Sequence, residues 1–257
     1  MKRLWQILSL SILLGMASSA LAAQTTSASR AEVPKNDAAI QAAVAHKLAA
    51  KKEFRNVQPA VEDGIVTLTG SVDVYQQKLD AAKKVRKAQN VQGVRNLITV
   101  GGKEVSDAEL AAQLDRKLYY DRLAQDNLFN YVTASVENGM ATLSGETRND
   151  FDRDSALALV NSTPGVKDVV NDIKVAPASF FDDRIRLSAM RAIYGDPALG
   201  QYAIDPARPI RIVVDNGHVT LYGTVANAMD KQIAGLKAGQ VFGAFSVTNN
   251  LEVAKKG

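Results

Sequence analysis

One nine-residue pattern, repeated three times, fixes most of what this chain can become. It reads Glu62-Asp63-Gly64-Ile65-Val66-Thr67-Leu68-Thr69-Gly70, then Glu137-Asn138-Gly139-Met140-Ala141-Thr142-Leu143-Ser144-Gly145, then Asp215-Asn216-Gly217-His218-Val219-Thr220-Leu221-Tyr222-Gly223. Asp-Gly and Asn-Gly suit the two-residue hairpin turn whose central residues both need positive φ. The alternation that follows predicts a strand with Val66 and Leu68, Ala141 and Leu143, Val219 and Leu221 on its inner face. Gly64, Gly70, Gly139, Gly145, Gly217 and Gly223 are therefore structural positions. His218 stands where the other copies have Ile65 and Met140, and Tyr222 where they have Thr69 and Ser144. The stretch punctuates a fold, and the helices and loops around it are expected to carry any special work.

The rest of each copy follows in register. Asp37, Asp107 and Asp182 precede apolar positions spaced by four: Ile40, Val44, Leu48; Leu110, Leu114, Leu118; Ile185, Ala189, Ile193. That spacing predicts a helix with one apolar stripe, N-capped by the aspartate. In the second copy Ser106 with Glu109 offers an alternative capping box. A first strand alternates through Val57, Pro59, Val61; Val132, Ala134, Val136; Ile210, Ile212, Val214. Pro59 marks an edge or a local irregularity, because it cannot donate to a ladder. After the hairpin a second helix aligns Ala81, Ala156 and Ala234, and a third strand closes each unit over Val94–Val100, Val169–Val175 and Val247–Val253. Hairpin glycine and closing valine are 36 residues apart in every copy, whereas opening aspartate and hairpin glycine are 27, 32 and 35 apart. The loop after the first helix absorbs the difference.

The order helix-strand-strand-helix-strand predicts an α+β fold in which helices pack on a small mixed sheet. That order, the repeated Gly-x-x-Thr-Leu-x-Gly and the ending Gly165-Val166-Lys167-Asp168-Val169-Val170-Asn171-Asp172-Ile173 resemble the BON domain. The third ending, Val241-Phe242-Gly243-Ala244-Phe245-Ser246-Val247-Thr248-Asn249-Asn250-Leu251, looks like the same motif. Unit one departs from it, with Asn90 in place of Gly165 and Gly243. The chain is thus expected to hold three tandem BON-like units, at residues 37–100, 107–175 and 182–253.

Ahead of them, residues 1–22 read as a signal peptide. Lys2 and Arg3 precede a short apolar run, and Ala20-Leu21-Ala22 supplies the cleavage pattern. The run is too short and interrupted for a permanent span, so no transmembrane segment is expected in the mature chain. Residues 23–36 read as a flexible leader. No cysteine is present, which excludes disulfides, thiolate chemistry and a lipidated cysteine. Export to the periplasm is the expected destination.

No catalytic constellation is legible, and a non-enzymatic protein without cofactor is expected. His46 and His218 have no partner at metal spacing. Asp150-x-Asp152-x-Asp154 begins like a calcium loop, but Ser155 replaces its glycine and Asn161 its closing glutamate. These acids suit the positive start of a helix instead. Phosphate-loop and serine-nucleophile motifs are missing too.

Charge says more. Residues 37–100 hold ten Lys/Arg against six Asp/Glu, residues 107–175 seven against twelve, and residues 182–253 seven of each. Units one and two could dock through that asymmetry. The basic residues of unit one gather on its second helix, at Lys78, Lys83, Lys84, Arg86 and Lys87, with Asp80 able to pair with Lys83 or Lys84. Such a face suits an anionic lipid surface. Nucleic acid is not expected, given the acidic unit and the export signal. Two aromatic clusters lie where the units differ. Unit two has Tyr119, Tyr120, Phe129 and Tyr131; unit three has Phe180, Phe181, Tyr194 and Tyr202. They are core, inter-unit contact, or an apolar surface for lipid or an unfolded client.

The BON resemblance implies attachment or maintenance at the envelope. Exported members look like osmotic-stress periplasmic proteins and outer-membrane lipoproteins, and the domain is associated with phospholipid binding. The leading expectation is an envelope-stress protein whose units bind phospholipid surfaces, peripherally, through the five basic residues above. The alternative is a periplasmic holding chaperone for exported or outer-membrane proteins, using apolar surface or a strand edge.

Overall fold

The computed structural model describes residues 34–102, 104–120, 128–204 and 209–254. The signal-peptide reading of residues 1–22 lies outside them. Unit one runs α1 (Pro34–Ala49), β1 (Val57–Glu62), β2 (Ile65–Val72), α2 (Tyr75–Arg86), β3 (Gly93–Asn96) and β4 (Thr99–Val100). Unit two runs α3 (Asp107–Tyr120), β5 (Tyr131–Glu137), β6 (Met140–Thr147), α4 (Asp150–Asn161) and β7 (Asp168–Val175). Unit three runs α5 (Phe180–Tyr194), a short α6 (Gln201–Ile204), β8 (Arg211–Asp215), β9 (His218–Val225), α7 (Ala228–Gly239) and β10 (Ser246–Val253). The chain is therefore α+β, built from a repeated helix-strand unit.

Each sheet is mixed. The hairpin strands pair antiparallel, and the closing strand returns after a helix to lie parallel to the hairpin's second strand. That second strand is central in all three sheets, which makes β1 an edge strand and gives Pro59 its place. The turns have the expected geometry, with Asp63, Asn138, Asn216 and the glycine after each at positive φ. Val66, Leu68, Ala141, Leu143, Val219 and Leu221 are fully buried. One such leucine contributes roughly 1.5–3 kcal/mol.

The opening aspartates act differently from the capping role expected of them. Each carboxylate accepts from the two backbone N–H groups of its own unit's hairpin turn. Asp37 takes those of Asp63 and Gly64, both at 2.9 Å. Asp107 takes those of Asn138 and Gly139 at 2.6 and 2.9 Å, and Asp182 those of Asn216 and Gly217 at 3.1 and 2.8 Å. The N-caps are other residues. Ser106 accepts from Glu109 N and Ser179 from Asp182 N, while Pro34 starts α1 inside the segment read as leader. An aspartate one to four residues into the helix reaches across the unit, so local spacing could not separate the two roles.

Two further differences stand out. The closing strand of unit one is interrupted at Leu97 and Ile98, although Leu97 N–H still donates to Leu68 O and both halves keep one register on β2. In unit three both faces of β8 are covered, with Arg211 and Val213 buried as well as Ile212 and Val214. The outer face of this sheet is occupied by unit two.

Candidate functional site: the exposed faces of units one and three

The basic residues of unit one fall where helical spacing puts them. Ala81, Ala82 and Val85 face the core, while Lys83, Arg86 and Lys87 are exposed and Lys78 and Lys84 half-exposed. Leu79, Lys83 and Arg86 share one outward face through i, i+4 and i+7 spacing. Lys87 is the C-cap residue, and its carbonyl accepts from Lys47 Nζ at 3.3 Å, which adds a fifth cation to Lys83, Lys84, Arg86 and Lys87 at this helix end. Asp80 does not pair with the lysines as expected; it accepts from Gln76 Nε2 at 2.9 Å. Among the described residues, no carboxylate lies within ion-pair distance of Lys78, Lys83, Lys84, Arg86 or Lys87. Lys78 instead lies 5.9 Å from the Tyr75 ring centroid.

Among the described residues no ion pair joins units one and two, while Tyr75, at the start of α2, packs against the core of unit two. Burial, with the Asp168 carboxylate beside it, pushes the Tyr75 phenol up to about 12. An acid raised in this way favours the folded contact while neutral. The contribution is complete below pH 10 and is lost as pH rises toward about 12. A difference ultraviolet titration of the parent chain against Tyr75→Phe should therefore show a tyrosinate appearing above the ordinary range, with the contact loosening in step.

Units two and three are joined far more intimately. Phe129 is buried within the core of unit three. Tyr131 stacks on Tyr222 with centroids 3.9 Å apart and planes 3° from parallel. Buried Arg211 lies over the Tyr119 ring at 4.5 Å and donates to Asn130 O at 3.3 Å. Arg148 pairs with Asp183 at 3.2 Å, and Asp183 also holds the buried Arg186. Asp115 and Glu252 line a cleft of about 230 Å³ at this junction, and burial raises the Asp115 carboxyl. Tyr222 thus has a specific task that comparing it with Thr69 and Ser144 did not reveal.

The aromatic residues of unit three divide by role. Tyr194 donates to Ile210 O at 2.8 Å, and buried Tyr202 donates to Asp230 at 2.6 Å. Both hold the long loop after α5. Phe180 and Phe181 begin that helix instead of preceding it, and each is 74% exposed. Phe242 at 95% and Phe245 at 79% exposure extend the cluster beyond the residues singled out from the sequence. The copies held the signal for these two. In register, Phe242 replaces Gln89 and Pro164, and Phe245 replaces Gln92 and Lys167. With Ile185 and Arg184 they line a groove of about 610 Å³.

The remaining candidates stay apart. Among the described residues, no group of His, Asp or Glu is placed to hold a metal. His46 is exposed on α1, and His218 Nδ1 lies 2.7 Å from Ser246 Oγ. Asp150 and Asp154 both pair with Arg153, at 2.6 and 2.7 Å, in the first turns of α4. No helix among the described residues is long and apolar enough to cross a membrane.

Comparison with solved structures finds CdsD, a structural protein of the type III secretion system of Chlamydia trachomatis. Identity is 15%, with 83% of this chain and 91% of that one covered, at a TM-score of 0.25. The periplasmic domain of the type III secretion inner-membrane protein PrgH from S. typhimurium is similar at 14% identity. There 82% of this chain and 100% of that one are covered, at a TM-score of 0.21. Scores this low carry nothing about partners or assembly. No curated protein matches the chain. Residues 36–102, 106–177 and 196–255 each match the BON domain, the third match beginning after α5. The chain belongs to the BON domain family and carries three copies of the domain in tandem.

Proposed function

We propose that this is a non-enzymatic protein of the bacterial periplasm that binds anionic phospholipid surfaces peripherally through α2. The observation that carries this reading is the cationic face itself. Five basic residues on one helix and its cap have no carboxylate partner among the described residues, and Asp80, the acid within α2, accepts from Gln76. Leu79, 37% exposed on the same face, adds an apolar contact. Each basic residue near an anionic surface contributes about 1 kcal/mol, so attachment is weak, reversible and salt-sensitive. Association of the BON domain with phospholipid binding supports the reading.

Co-sedimentation with phosphatidylglycerol vesicles tests it. Binding should fall with added salt, and Lys83→Gln/Lys84→Gln/Lys87→Gln should weaken it by about ten- to a hundredfold. Equal binding to phosphatidylcholine vesicles, or none to either, would refute it.

A second reading, retention of unfolded exported chains, is favoured by one observation. Phe180, Phe181, Phe242 and Phe245 are exposed together in unit three, in an apolar cluster of the kind that marks interaction sites.

A further inference from the structure

The three closing strands end in the same place in their units but differ as edges. A strand edge presents unpaired N–H and C=O groups, and proteins blunt such edges with charges, breaks, proline or a covering element. Unit one breaks its edge at Leu97–Ile98 and carries Arg95 on it. In unit two, β7 carries Asp168, Asp172 and Lys174, and Tyr75 reaches Asp168 and the Val169 N–H at its start. Unit three has neither device in the first half of β10. From Ala238 to Leu251 there is no charged residue and no proline, and Ser246, Thr248 and Asn250 are exposed. Ala254 donates inward to Val225 O, so the alternation of a parallel ladder directs the N–H groups of Val247 and Asn249 outward. The groove of Phe181, Phe242 and Phe245 opens where this strand begins.

We infer that unit three captures an extended, uncharged polypeptide segment by strand addition along Ser246–Asn250, with an apolar side chain of that segment seated among Phe181, Phe242 and Phe245. This rests on the second reading above and names its site. Main-chain hydrogen bonds supply affinity in this mode, and a flanking pocket supplies selectivity. A lipid tail fills the groove only, whereas a peptide's main chain also pairs with the outward N–H and C=O groups, which favours a peptide as occupant. A second copy pairing antiparallel through the same strand would set Glu252, the strand's one charge, against the groove. Asn249 Oδ1 already accepts from Leu251 N, so the addition stops there.

The test uses the full chain and a fluorescein-labelled peptide of alternating valine and threonine with one terminal phenylalanine, read by anisotropy. Binding should be lost when the peptide is N-methylated on the residues facing β10. Phe242→Ser/Phe245→Ser should weaken it at least about tenfold with an unchanged circular dichroism spectrum. Undiminished binding of the N-methylated peptide, or of the parent peptide to the serine variant, overturns this site while leaving the second reading intact. No binding of the parent peptide overturns both. Two other results also overturn the inference: vesicle binding lost in the serine variant without peptide binding, and a sedimentation dimer lost in that variant without peptide binding.

Discussion

Gly145→Ala is expected to destabilise unit two by about 4 kcal/mol, enough to leave it only marginally folded. Gly145 has φ +120°, and a Cβ there would overlap the carbonyl of Tyr131 on the neighbouring strand. The dihedral alone costs about 1–3 kcal/mol, and the overlap is with backbone, which has little room to yield. A unit of this size is stable by only about 5 kcal/mol, so the substitution consumes most of the margin. The effect should spread to unit three, because Tyr131 carries the stack on Tyr222. Hydrogen exchange checks this: amides of β5 and β6 should lose protection, those of β8 and β9 should lose part of it, and those of β1 and β2 none. Full protection of β5 would refute the account. The same geometry holds at Gly70 against Asn56 O and at Gly223 against Pro209 O, which is why the second glycine recurs.

Asp182→Ala should cost about 3 kcal/mol, because it strands two turn N–H groups. The three clamps are not equal. Asp182 is 2% exposed and its bond to Gly217 is buried, whereas Asp37 and Asp107 are half-buried. Asp37→Ala should therefore cost about 1 kcal/mol, since water reaches the freed groups. Asp182→Asn keeps one acceptor oxygen and should fall between. Urea denaturation followed through unit three orders the series. Equal losses at Asp37 and Asp182 would show that the clamp contributes only local helix charge.

The repeat made the fold readable. Three in-register copies turned weak local signals into fixed elements: the inner leucines followed from alternation, the turn glycines from Asp-Gly and Asn-Gly, and the order of elements along each unit from the repeat. Two kinds of information were missing. One was the partner of a side chain, since Asp182 beside a helix start looks like a cap until Gly217 is seen across the unit. The other was what lies between units. Val213 and Arg211 read as outward positions of a strand, and only the segment around Phe129 shows why they are buried. The basic face of α2 was legible because helical spacing is local. The phenylalanine cluster was half-legible: Phe180 and Phe181 drew notice as a pair, while Phe242 and Phe245 sat inside a motif and passed as part of it.

The aspartate clamp has a consequence for how such a chain grows. By tying the beginning of the first helix to the hairpin turn, it closes a ring whose contents are free to change. Lengthening that ring from 27 to 35 residues adds only a few tenths of a kcal/mol of closure entropy. Phe129, Tyr194 and Tyr202 all lie within these rings, so new surface accumulates where the fold is indifferent to length, and the hairpin–helix–strand half stays constant.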